Sequence, residues 1–145
     1  MSLIKTHYKV NPSQTSDLEV TEAILSNDEA LVLTGKIATM DDNKPLANAI
    51  TAKFGKEGSK KRSRPEAIET TVRELFPLHV FTGWNVVDDA GNPVPYDATR
   101  CRDEVLVDLD VYAVARIFAY FSNPDNFREA LTKADGADLG NASGT

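Results

Sequence analysis

An α+β domain, mostly α, is the fold class the sequence predicts, and three observations predict it. Near the N-terminus two short stretches carry apolar residues in the manner of strands. From Asn43 onward apolar residues recur at spacings of three and four, and these runs open on residues suited to cap a helix. Between the second and third of the runs lies a compact cluster of Asp, Gly, Asn and Pro, which is turn chemistry. The expected architecture is an N-terminal β-hairpin followed by about five short helices, with a tight turn between the second and third.

Residues 1–17 lack periodicity and include Asn11-Pro12-Ser13, so they are expected to form a flexible arm, with Tyr8 and Val10 adding at most a short edge strand. Residues 18–24 alternate apolar and polar at period two, and residues 30–37 are aliphatic with β-branched members. Ser26-Asn27-Asp28-Glu29 between them reads as the turn of a hairpin. Asp42 or Asn43 caps the first helix, with Pro45 in its first turn, where a missing N–H removes no bond. Leu46, Ala49, Ile50 and Phe54 share its apolar face, and Gly55 and Gly58 end it.

Residues 55–63 form a basic linker, in which Lys60, Lys61 and Arg62 cluster with Arg64 around Ser59 and Ser63. A solvated connection is the plainer reading; the alternative is a patch for a phosphate backbone or an acidic partner. No aromatic residue is interleaved to stack on bases. Ser63-Arg64-Pro65-Glu66 fits a capping box, and the helix it opens puts Ile68, Val72, Leu75 and Phe76 on one stripe, with Glu66, Glu69, Arg73 and Glu74 outside. Pro77 is expected to kink or end it. His79, among apolar neighbours, reads as structural. Asp88-Asp89-Ala90-Gly91-Asn92 supplies the tight turn; its oxygens do not follow the twelve-residue calcium-loop pattern.

Asp97 caps a third helix to about residue 107, carrying Cys101 as a spectator thiol. Asp108 or Asp110 begins a fourth, with Val111, Val114, Ala115, Phe118 and Ala119 at helical spacing. Asn123-Pro124 stops that helix and starts a fifth, whose apolar side is Phe127, Ala130 and Leu131. Residues 134–145 are poor in apolar groups and expected to be disordered. A single domain over residues 1–133 follows.

Composition narrows the function classes. The 145 residues carry 16 Lys and Arg against 22 Asp and Glu, a net charge of −6, which argues against wholesale binding to nucleic acid or anionic membrane. One cysteine and two histidines leave too few ligands for a Cys- or His-based metal centre, and no cofactor-binding loop or nucleophile elbow occurs. The first residues are too polar for a signal peptide, and no stretch is long enough for a membrane span. The residues alone point to no catalytic group and to no cofactor, and the expectation is a protein that is not an enzyme.

The block Leu78-His79-Val80-Phe81-Thr82-Gly83-Trp84-Asn85-Val86-Val87-Asp88-Asp89-Ala90-Gly91-Asn92-Pro93-Val94-Pro95-Tyr96 resembles a pattern in the tail assembly chaperones of long-tailed bacteriophages. In that pattern a helix runs into Gly-Trp, an Asp-rich Gly turn and Pro-Val-Pro-aromatic, and two further helices lead to Asn-Phe-Arg. The later pieces correspond here to Val105-Leu106, residues 111–121 and Asn126-Phe127-Arg128, so the resemblance covers residues 68–128. Asn43-Lys44-Pro45-Leu46-Ala47-Asn48 is a looser echo upstream. The resemblance implies a late protein in the cytoplasm of the infected host that coats the tape measure protein, keeps it soluble, recruits tail tube subunits and is absent from the finished virion. Self-association is a further option it leaves open, and nucleic acid and membrane are not among the partners. An acidic surface with apolar helix stripes is compatible with such a client. Trp84, Tyr96, Phe118, Phe127 and Arg128 are the candidate partner-binding residues or structural anchors, with Trp84 read first as a core anchor. The alternative is a structural virion component such as a neck, tail-terminator or baseplate protein. A third reading, an enzyme or nucleic-acid-binding regulator, would use Lys60–Arg64.

Overall fold

The computed structural model describes residues 8–55 and 64–130. The Lys60, Lys61 and Arg62 cluster, Ser63, residues 1–7 and the 134–145 tail lie outside those residues. The first described element is β1 (Tyr8–Val10), the short edge strand expected there, and β2 (Thr15–Ile24) begins three residues earlier than the expected strand, within the expected arm. Pairing is the reason: β1 runs antiparallel to the last strand, a partner remote in sequence, with Tyr8 opposite Ala130 and Val10 opposite Arg128. The Asn11 N–H continues the contact to the Phe127 carbonyl at 2.8 Å.

β2 pairs antiparallel with β3 (Ala30–Lys36), with an irregularity between Val20 and Ile24. Asp28 closes the intervening turn at φ 68, a left-handed conformation that Asp tolerates better than most residues. Period-two alternation then decides the faces. Leu18, Val20, Leu31 and Leu33 are buried on one side of the ladder, while Glu19 and Thr21 are exposed on the other. Helix α1 (Lys44–Phe54) begins at Asn43, whose Oδ1 accepts the Leu46 N–H at 3.1 Å. Asn43 Nδ2 donates to the carbonyls of Ile37 at 3.0 Å and His79 at 2.9 Å. A buried amide with three partners therefore fastens α1 to the end of β3 and to the next helix.

Helix α2 spans residues 65–79 as three consecutive stretches: α-helical Pro65–Thr70, a π turn at Thr71–Leu75, and α-helical Phe76–His79. Arg64, not Ser63, is its cap residue, extended at φ −74 and ψ 147 and without a side-chain cap bond. Pro65 explains the shift from the expected capping box, because a residue before proline is pushed out of helical conformation. Pro77 neither ends nor breaks the helix. The widened turn before it, in which the Phe76 N–H reaches the Thr71 carbonyl five residues back, accommodates the missing donor.

The chain then enters β4 (Phe81–Trp84), a strand where the sequence shows only apolar continuity. It pairs with β3, completing a three-stranded antiparallel sheet of order β2-β3-β4. Asn85 prolongs the ladder with its side chain, accepting from the Val32 N–H at 2.7 Å and donating to the Ala30 carbonyl at 3.0 Å. Helix α3 (residues 98–108) starts at Asp97, whose side chain accepts the Arg100 N–H, and passes through a π turn (Cys101–Val105) and a final 3-10 turn (Leu106–Asp108). Helix α4 (Val111–Phe121) is capped by Asp110. The fifth helix expected after Asn123 reduces to one 3-10 turn (Pro124–Phe127), and β5 (Arg128–Ala130) follows. Pairing with β1 gives this backbone its hydrogen bonds, so the helical spacing of Phe127 and Ala130 does not decide its conformation, and Leu131 of the same expected face lies outside the described residues.

The molecule is thus mixed α+β, with helices against one face of the sheet. Its core joins Leu31, Leu33 and Ile37 of the sheet region to Val72, Phe76, Leu106, Ile117, Phe121 and Phe127. At Gly35 a Cβ would lie 2.8 Å from the Val80 carbonyl oxygen and 3.0 Å from the Phe121 ring. Only glycine permits β3 to pass that close to both.

Candidate functional site

The Gly-Trp-to-Tyr block folds as one stitched corner. Asp88 accepts the N–H groups of Ala90 and Asn92 on one carboxylate oxygen, both at 2.9 Å, while Gly91 takes φ 84. The Asp88 carboxylate is therefore spent on the turn, and among the described residues no three His, Cys, Asp or Glu converge as metal ligands. The returning segment, joined to the outgoing one by a single bridge between Val87 and Pro93, brings the Val94 carbonyl to Trp84, whose indole Nε1–H donates to it at 2.7 Å. Tyr96 packs edge-on against Trp84 with ring centroids 5.1 Å apart, and its hydroxyl donates to the Pro77 carbonyl at 2.5 Å. Both aromatics are half-buried against the core. The corner is a structural anchor tying the Asp-Gly turn to the end of α2, with each polar tip satisfied.

Cys101 lies fully buried beneath this corner. Burial pushes its thiol up to about 12, and a hydrogen bond with Tyr96 only partly offsets that. Tyr96 is raised in turn, first by burial and then by the neighbouring Cys101. Neither group is a nucleophile at neutral pH, since the thiolate is the reactive form.

The other candidate residues separate. Phe118 on α4 stacks on Phe76 of α2 at 6.1 Å and 16°, half-buried beside an open cavity. Phe127 is wholly buried, its ring 6.2 Å from that of Phe121, and belongs to the core. Arg128 is exposed and pairs with Asp125 at 2.8 Å within the same turn. The five residues do not form one site.

Arg73 is a residue whose role the sequence leaves unmarked. Placed on the outer face by helical spacing, it is part-buried: its guanidinium donates to the carbonyls of Leu106 and, at 2.7 Å, Leu109, while Nε meets Glu69 at 2.9 Å. It caps the end of α3, sharing the Leu106 carbonyl with the Leu109 N–H and taking the Leu109 carbonyl beyond it. The only earlier signal is its charge on a helix with three glutamates.

The large apolar side chains that stay exposed are Ile24 on β2, Leu78 at the end of α2, Val107 in the last turn of α3, and Val111 and Tyr112 at the start of α4. Tyr112 is 80% exposed, Val111 53% and Val107 59%. Beside them Val111 and Tyr112 line a groove of about 430 Å³ with Pro65 and Ile68 of α2, and Glu66 and Glu69 complete its wall. Apolar groups next to carboxylates match a helical segment with apolar and basic residues. Among the described residues no helix is long and apolar enough to cross a membrane. No family model matches the chain, and no curated protein or solved structure matches it.

Proposed function

We propose that this chain is a non-enzymatic assembly chaperone of long-tailed bacteriophages, holding the tape measure protein soluble and helping to recruit tail tube subunits in the host cytoplasm. The observation that carries the reading is the open apolar pair of Val111 and Tyr112 at the start of α4, beside the groove walled by Glu66 and Glu69. A core-forming sequence would bury such groups; here they face solvent on a rigid helix, in the form a helical client engages. The resemblance of residues 68–128 supplies the class of client, and the stitched Trp84–Tyr96 corner accounts for the block that carries it.

Co-expression with a tape measure protein tests this. Wild-type chain should keep the client soluble and co-purify with it, and Val111→Ser with Tyr112→Ser should release it. Client left insoluble by the wild type overturns the proposal.

The second reading is a structural virion component, favoured by strands the sequence did not announce, β4 and β5, which give the domain more β structure than a helical chaperone requires. It predicts stoichiometric copies of the chain in purified particles by mass spectrometry, where the first reading predicts none.

A further inference from the structure

The larger sheet has the order β2-β3-β4, so β2, ten residues long, is an edge with no strand beyond it among the described residues. The ladder decides which of its backbone groups face outward. Glu19 lies opposite Val32, and Asp17 opposite Thr34. The Val32 N–H is taken on the far side of β3, by the Asn85 side chain at 2.7 Å, and the Lys36 N–H is taken there too, by the Val80 carbonyl at 2.8 Å. Backbone direction alternates along a strand, so Val32, Thr34 and Lys36 all turn toward β4. Asp17 and Glu19 therefore aim both their N–H and their C=O groups away from the sheet.

Helix α4 covers the two carbonyls. The Tyr120 hydroxyl donates to the Asp17 carbonyl at 2.8 Å and accepts from the Ser16 hydroxyl at 2.5 Å. One turn earlier Arg116 reaches the Glu19 carbonyl at 3.4 Å, held there by an ion pair with Glu22. Residues four apart on a helix are neighbours, so these side chains together fill the lane, roughly 4.8 Å from β2, in which an added strand would run. An open edge is a template for strand pairing, and charged side chains are a common means of blocking it. The occupant this edge matches is a second copy of itself. Outward groups recur at every other residue, so β2 laid antiparallel on β2 presents donors to acceptors across a two-fold axis. The Asp17 and Glu19 carboxylates oppose that pairing, because like charges would meet across it.

We propose that Arg116 and Tyr120 are edge guards, which hold closed a latent interface through which two copies of this chain would join β2 to β2. The inference does not rest on the chaperone reading.

Sedimentation and amide hydrogen exchange of the full-length chain test this, in about 0.5 M salt to screen Asp17 and Glu19. In the wild type the Asp17 and Glu19 amides should exchange at least about tenfold faster than those of Leu18 and Val20, which face β3. Arg116→Ser with Tyr120→Phe should raise the sedimenting mass above the wild type's at equal concentration, and slow those two amides about tenfold as concentration rises. Adding Glu19→Pro, which removes one outward N–H at an edge position that tolerates proline, should restore the wild-type mass. Should the double variant fail to fold, Tyr120→Phe alone decides, with a smaller slowing in the same direction. Wild-type Asp17 and Glu19 amides as protected as Leu18 and Val20 overturn the proposal. A folded guard variant whose mass and edge-amide exchange match the wild type's at every concentration overturns it as well, leaving the two side chains a purely stabilising role.

Discussion

The two ends of α4 are built from similar residues and put to opposite use. At the C-terminal end Phe121 is fully buried between Phe81 and Phe127, with the β3 backbone admitted by Gly35. At the N-terminal end Val111 and Tyr112 face solvent, beside Glu66 and Glu69 of α2. The difference lies in what the neighbouring elements bring. The sheet presents an apolar face to one end, whereas α2 begins with acidic residues near the other. Apolar character alone does not say which end is core; the partner across the gap does.

Four measurements break or sharpen that contrast. Phe121→Ala should lose the most, about 3–5 kcal/mol of unfolding free energy in urea titrations, because the aromatic pairs around it cannot collapse into the space. Trp84→Ala comes next, at roughly 2–3 kcal/mol, since a half-buried indole gives up contacts with Tyr96 and its bond to Val94. A change below about 0.5 kcal/mol would move Trp84 from anchor to contact surface.

Alkaline pH should act on the same corner. Cys101 and Tyr96 keep their protons to higher pH in the folded state than in the unfolded one, so the unfolded chain releases protons first. Stability is then whole below the ordinary thiol value of 9.0 and falls as pH rises toward about 12. The slope is at most ~1.4 kcal/mol per pH unit for each group. Cys101→Ala should flatten the thiol's share, and an unchanged pH profile would show that the thiol is not held in its protonated form. Smallest of all, Tyr112→Ser should change stability by no more than about 0.5 kcal/mol by thermal melting. A larger loss would mean that the open end of α4 is part of the core.

Much of the helical half was legible because helix starts are local. Asn43, Asp97 and Asp110 each accept an N–H three residues on, within reach of any reading of adjacent residues. The Asp88–Asn92 turn is local in the same sense. Strands β4 and β5 were not legible, because each takes its hydrogen bonds from residues distant in the chain: Phe81 from Gly35, Ala130 from Tyr8. Phe127, Ala130 and Leu131 even mimic helical spacing. Of the candidate anchors, Trp84 and Tyr96 could be read from their block, while the burial of Phe127 and the ion pair of Arg128 depend on how the final turn docks.

The pairing of β1 with β5 carries an architectural consequence. Residues 8 and 130 pass side by side, so the first and last described residues of the domain meet at a single edge. A circularly permuted gene that bridges the old termini and reopens within the 88–92 excursion should therefore yield the same packed domain.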